Sequence, residues 1–150
     1  MKIEKYSPIY FDDCLSILES NTPKYIDPSE RSMFEAYLQR DKITYFILFE
    51  KNNPIACGGY GLNEQNTKAG LSWGLVHRSS HKKGLGTVLL NFRLKHIQSN
   101  YGDIDVKLDT SQKTYKFYEK FGFIVEKITP KAYSAELDQY DMVLQTIPDN

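Results

Sequence analysis

Seven consecutive residues, His81-Lys82-Lys83-Gly84-Leu85-Gly86-Thr87, have the composition of an anion cradle. Two glycines one residue apart let the main chain turn closely around a ligand, and two lysines add mobile positive charge. An apolar run, Leu71-Ser72-Trp73-Gly74-Leu75-Val76, comes just before, and apolar residues resume at helical spacing from Leu85. A strand that feeds a polar turn and then a helix offers the unpaired N–H groups and partial positive charge of the helix's first turn, which suit a pyrophosphate. The GxxxxGK[ST] loop is absent and only part of the GxGxxG fingerprint is present. A plain helix start fits the same residues, and the strand before them is what favours the anion.

The frame around this turn is legible in the spacing. Residues 2–6 alternate as an edge strand, Tyr10 to Leu18 recur at helical intervals, and Asp27-Pro28-Ser29-Glu30 opens a second helix through Leu38. Residues 43–50 (ITYFILFE), a turn at Lys51-Asn52-Asn53-Pro54, a second run IACGGYGLN and then LSWGLV predict an antiparallel meander. The helix after Gly84 ends at Asn100-Tyr101-Gly102. Residues 104–109 (IDVKLD) follow a crossover helix and are therefore expected parallel to LSWGLV. A short helix stopped by Gly122 comes next, then strands at 123–129 and 140–145, with the polar stretch Pro130 to Gln139 between them. The pattern is α/β with α+β character: one domain over residues 1–150, with a mixed, mostly antiparallel sheet flanked by helices.

Composition narrows the function classes. Of the 150 residues 41% are hydrophobic and 25% charged, which supports a real core. Nineteen basic residues balance 19 acidic ones, and the lysines are not interleaved with aromatics, so no nucleic-acid partner is expected. Cys14 and Cys57 lack the spacing of a zinc or CxxC motif; they read as buried thiols, and no metal site is expected. The N-terminal stretch carries acids and a proline where a signal peptide needs an apolar core, and no apolar run reaches 18 residues. The expectation is a cytoplasmic protein with no membrane partner.

Two motifs in order carry a family resemblance. HKKGLG matches both glycines of the signature Gln/Arg-x-x-Gly-x-Gly/Ala, with His81 in place of the usual first residue, and Arg78 stands where a proline is common. Downstream, LDTSQKTYKFYEKFGF places Phe117-Tyr118 four residues before Gly122-Phe123. Together they resemble the GNAT superfamily of acyl-CoA-dependent N-acyltransferases, over essentially the whole chain and most weakly over residues 1–42.

The resemblance implies a function and a set of roles. Acetyl-CoA is the implied donor, coenzyme A the product, and a primary amine of a small molecule or a protein the acceptor, attacked directly in a ternary complex. The strands LSWGLV and IDVKLD should part, leaving main-chain groups of Leu75, Val76, His77 and Arg78 for the pantetheine arm and the thioester carbonyl. His81, Lys82, Lys83, Gly84, Leu85, Gly86 and Thr87 would hold the pyrophosphate; Thr110, Lys113 and Tyr115 would line the mouth of the cofactor cleft. Thr110 is equally suited to capping the helix that carries Tyr118. Tyr118 is the implied general acid, since an unperturbed phenol, with a pKa of about 10, is protonated at neutral pH. No carboxylate lies on the strand where relatives often carry the base. Glu64 just before it, His77, water, or an amine that arrives neutral are the alternatives. Asn21, Tyr25, Tyr60, Trp73 and Tyr133 are expected at the acceptor. Dimers are common in that family, which allows a homodimer. The alternative is a catalytically inactive acyl-CoA-binding or protein-interaction domain that has lost its base.

Overall fold

In a computed structural model that describes residues 1–145, the elements are β1 (Lys2–Lys5), α1 (Phe11–Ser20), α2 (Glu30–Leu38), β2 (Thr44–Glu50), β3 (Asn53–Leu62), β4 (Lys68–Val76), α3 (Leu85–Tyr101), β5 (Asp105–Thr110), α4 (Tyr115–Glu119), β6 (Ile124–Ser134) and β7 (Leu137–Leu144). Residues 146–150, the end of the expected domain range, lie outside the described residues. The strands hydrogen-bond in the order β1-β2-β3-β4-β5-β7-β6. β4 and β5 pair parallel, as the crossover through α3 requires, whereas β1–β2, β2–β3, β5–β7 and β6–β7 pair antiparallel. The described residues form two compact units: residues 1–61 with 72–96, and residues 62–71 with 97–145.

In the first unit β2 is buried on both faces, which is why its sequence reads as a continuous apolar run rather than an alternation. Tyr45, Ile47 and Phe49 face Cys14, Ile17, Leu18, Phe34 and Leu38 of α1 and α2. Leu48, on the opposite face, packs with Ala56, Leu85 and Leu89. Lys51 and Asn52 connect β2 to β3 with φ of 50° and 67°, the pair of left-handed residues that a two-residue hairpin turn demands. Pro54 is thus already in β3, opposite Phe49, where the register shifts by a bulge.

Burial in this unit sets a titration signature. Hydrogen bonding to Cys57, then burial, pushes the Cys14 thiol far above its ordinary range, and burial raises the phenols of Tyr45 and Tyr37. A group whose folded pKa is raised leaves the folded state protonated while the unfolded chain ionises. Stability is therefore fully present below about pH 8.5, where unfolded cysteine begins to titrate, and falls as pH rises through about 10, where unfolded tyrosine follows. Urea midpoints measured from pH 7 to pH 10.5 should be level and then decline; a midpoint that rises above pH 9 contradicts the burial of these groups.

In the second unit β5 alternates as read, with Val106 and Leu108 buried and Lys107 exposed. Gly122 closes α4 at φ +95°. The expected polar loop from Pro130 to Gln139 is corrected. β6 continues through it to Ser134 and turns directly into β7 at Leu137, with register shifts between Val125 and Lys127 and between Thr129 and Ser134. Bulges let a strand hold unpaired residues, Lys131 at φ 56° among them, and so hide a strand in a sequence that reads as loop.

Candidate active site

β4 is interrupted at Trp73, whose φ of +44° is a conformation that bulky side chains rarely adopt. Packing and a hydrogen bond hold it there. The indole lies 4.9 Å from the Phe34 ring, and the Trp73 carbonyl accepts the hydroxyl of fully buried Tyr45 at 2.7 Å. The parallel ladder between β4 and β5 has three pairs, ending at Gly70↔Lys107, although β4 runs on to Val76 and β5 to Thr110. The His77 N–H donates to the Ile55 carbonyl at 2.8 Å. By antiparallel alternation Leu75 and His77 turn their main-chain groups to β3, while Gly74 and Val76 turn theirs to the opposite edge.

That alternation corrects part of the expected main-chain set. The Val76 carbonyl accepts from Asn21 Nδ2 at 3.0 Å and from His81 Nε2 at 2.9 Å, and the Arg78 N–H donates to Ser20 Oγ at 3.0 Å. The His77 and Arg78 N–H groups and the Val76 carbonyl are thus used within the fold, and by the same alternation the Val76 N–H and the main chain of exposed Gly74 lie on the edge of β4 away from β3. His81 occupies the family's Arg/Gln place as a staple: a carbonyl can only accept, so Nε2 carries the proton. Its ring also meets Tyr25 edge-on at 5.3 Å. The His77 ring is likewise engaged, with Nδ1 accepting from the Ser79 N–H at 3.2 Å.

The turn that follows has the geometry of a cradle. Lys82 and Gly84 have φ of 66° and 79°, with Lys83 between them. Alternating left-handed residues turn successive N–H groups toward one concavity. A Cβ at Gly84 would meet nothing within 4 Å, so its glycine is required by conformation and the space before it is open. Leu85 is anchored in the core, leaving Gly86 and Thr87 to head α3 with first-turn amides. Lys82 and Lys83 are exposed and make no ion pair among the described residues. These residues fit a pyrophosphate.

Among the expected acceptor residues, three are occupied within the first unit. Asn21 is buried, and besides Val76 it donates to the Ile17 carbonyl at 2.9 Å, so it ties the end of α1 to the end of β4. Tyr60 is 3% exposed and its hydroxyl shares a 2.6 Å hydrogen bond with His96 Nδ1. Its expected place in an acceptor wall is corrected, because even residues of β3 face α3 in this register. Trp73 packs on Phe34 and Tyr37. Tyr25 is half-buried, with the Arg78 guanidinium 5.9 Å from its ring centre.

The second unit presents Tyr118 on α4, half-buried, edge-on to Phe117 at 5.1 Å and to Phe123 at 5.9 Å. Its ring is fixed while its hydroxyl makes no hydrogen bond among the described residues, the arrangement a proton donor needs. The Thr110 hydroxyl pairs with that of Thr114, which occupies the N-cap position of α4 without a side-chain capping bond, so the expected cap from Thr110 is not formed. Lys113 is exposed, and Tyr115 stacks on Tyr140 at 4.5 Å. Where the β4–β5 ladder opens lies a cleft of about 420 Å³, lined by Gly70, Lys107, Asp109, Glu126 and Asp141. The Tyr133 hydroxyl donates to Asp109, which sits directly opposite Asp141 in the sheet. Like charges placed so repel; Asp141 gave no signal in the sequence because its partner is set by register. Glu64 lies in the exposed turn before Lys68, at the closed end of the ladder, and the structure does not bring it to the open end.

Sequence and fold comparisons supply the class of protein to which these elements belong. The family profile described as acetyltransferase (GNAT) domain matches residues 16–146, and the chain belongs to that family. It is an acetyltransferase, and acetyl-CoA is the donor the family uses. Comparison with curated protein sequences gives no match. Among solved structures, an aminoglycoside 6'-N-acetyltransferase complexed with coenzyme A superposes with TM-score 0.78 at 19% identity, covering 100% of this chain and 99% of that one. The ribosomal-protein-S18-alanine N-acetyltransferase of Escherichia coli gives 0.81 at 18% identity over 99% and 97%. The aminoglycoside 6'-N-acetyltransferase of Enterococcus faecium gives 0.76 at 18% over 100% and 99%.

Proposed function

We propose that the protein acetylates a primary amine of a small molecule or a protein, by direct attack on acetyl-CoA in a ternary complex. The observation that carries this reading is the interrupted β4: the left-handed Trp73, the ladder that stops at Gly70, and the open cradle that follows at Lys82 to Gly84. Acetyl-CoA supplies an activated acyl group on a thiol leaving group. The cradle amides with Lys82 and Lys83 hold its pyrophosphate, and the Val76 N–H with the Gly74 main chain polarises the carbonyl. Tyr118 gives its proton to the departing thiolate. A covalent relay through cysteine is disfavoured because Cys14 and Cys57 are fully buried and the Cys14 thiol is pushed up, leaving no exposed thiolate.

Removal of the amine proton falls to water or precedes binding. Glu64 is at the closed end of the ladder and His77 Nδ1 is engaged by Ser79. Two of the similar structures are of enzymes whose names state amine acceptors, an aminoglycoside and a ribosomal-protein alanine, which supports an amine here. Calorimetric titration with acetyl-CoA followed by thiol release against a panel of aminoglycosides, polyamines and N-terminal peptides tests the reading. Binding at micromolar concentration and release with at least one amine class are expected. Binding with no release from any amine would favour the non-catalytic acyl-CoA-binding domain, and absence of binding would remove both.

A further inference from the structure

Arg93, on the third turn of α3, is 3% exposed and makes no ion pair among the described residues. Among the described residues its one side-chain hydrogen bond runs from Nη1 to the Gly59 carbonyl at 3.3 Å, and Nε is buried without a partner. The guanidinium fills the space that side chains at two glycines would take. A Cβ at Gly58 would stand 3.1 Å from its Cζ, and one at Gly74 would stand 2.8 Å from Nη2. Gly74 itself is exposed, so a buried cation sits one main-chain thickness beneath an accessible stretch of β4, directly after the Trp73 interruption.

Burying an uncompensated charge is costly, and a Met or Leu at this place would fill the same volume without that cost. Departures of this kind from ordinary core composition gather at functional sites. An arginine keeps its charge in any protein environment, and in a poorly screened interior that charge is felt by the main-chain dipoles beside it. We propose that Arg93 is a positioning residue for acyl transfer: it packs against Gly74 and sets a fixed positive charge under the main-chain groups that polarise the thioester carbonyl. The inference rests on the acetyl-transfer reading above and adds to it a residue that neither cofactor motif contains.

The test compares wild type with Arg93→Met, Arg93→Lys and Gly74→Ala, the last displacing the guanidinium without removing it. The readouts are kcat, the affinity for coenzyme A, and the infrared carbonyl band of bound [1-13C]acetyl-CoA. Arg93→Met and Gly74→Ala should lower kcat at least tenfold, leave coenzyme A affinity within about threefold because the cradle lies nine residues back along the helix, and move the carbonyl band up toward its value in water. Arg93→Lys should recover part of both effects. An unchanged kcat and band in Arg93→Met would overturn the proposal, as would parallel loss of kcat and coenzyme A affinity, the mark of a merely structural residue. If Arg93→Met does not fold, Arg93→Lys and Gly74→Ala decide on the same readouts. A wild-type protein that binds no acetyl-CoA would instead refute the parent reading.

Discussion

Replacing Tyr118 with phenylalanine is expected to lower kcat at saturating acetyl-CoA at least tenfold, while coenzyme A should bind within about twofold of wild type and the melting temperature should stay within about 1 °C. The asymmetry follows from how the side chain is held. Its ring packs edge-on against Phe117 and Phe123, contacts that phenylalanine keeps, whereas its hydroxyl has no hydrogen bond among the described residues, so the fold loses nothing with it. A general acid contributes roughly 10² to 10⁴ in rate, and each tenfold corresponds to about 1.4 kcal/mol of barrier. Steady-state kinetics with the best amine of the panel check this. Turnover within twofold of wild type would take Tyr118 out of the mechanism and leave water to protonate the thiolate.

The largest effect on stability is expected at Gly59. A Cβ there would stand 2.0 Å from the Thr44 carbonyl oxygen and 2.8 Å from Tyr45 Cα, main-chain atoms of the neighbouring strand that cannot move without opening the β2–β3 ladder. Gly59→Ala should cost about 3 kcal/mol and lower the melting temperature by roughly 10 °C. Gly61, two residues on, faces open space, and Gly61→Ala should change stability by less than about 0.5 kcal/mol. Denaturant melts of the two variants form an internally controlled pair. Equal stabilities would mean that β2 and β3 do not meet in the register described.

Much of this fold was legible because its signals are local. The turn at Lys51 and Asn52, the helix end at Gly102, the left-handed Gly122 and the apolar faces of α1 and α2 each depend on a few neighbouring residues, although Asn53 and Pro54, expected in the turn, belong to β3. What the sequence could not carry was set by pairing. Which of the Leu75, Val76, His77 and Arg78 main-chain groups stay open depends on strand alternation and on side chains as distant as Ser20 and Asn21. Tyr60 reads as an aromatic wall until β3 turns it toward His96. The polar stretch after Pro130 reads as loop because bulges absorb its irregular residues. Arg93 carries no motif; only the two glycines that make room for it, far apart in sequence, give it meaning.

The Val76 carbonyl receives side chains from two loops, Asn21 after α1 and His81 ahead of the glycine turn. One oxygen is therefore a joint between the loop that ends α1 and the turn that opens α3. A substitution at Asn21 reaches the glycine turn through that carbonyl, and one at His81 reaches the end of α1 by the same route. Neither segment can be rebuilt without the other registering the change.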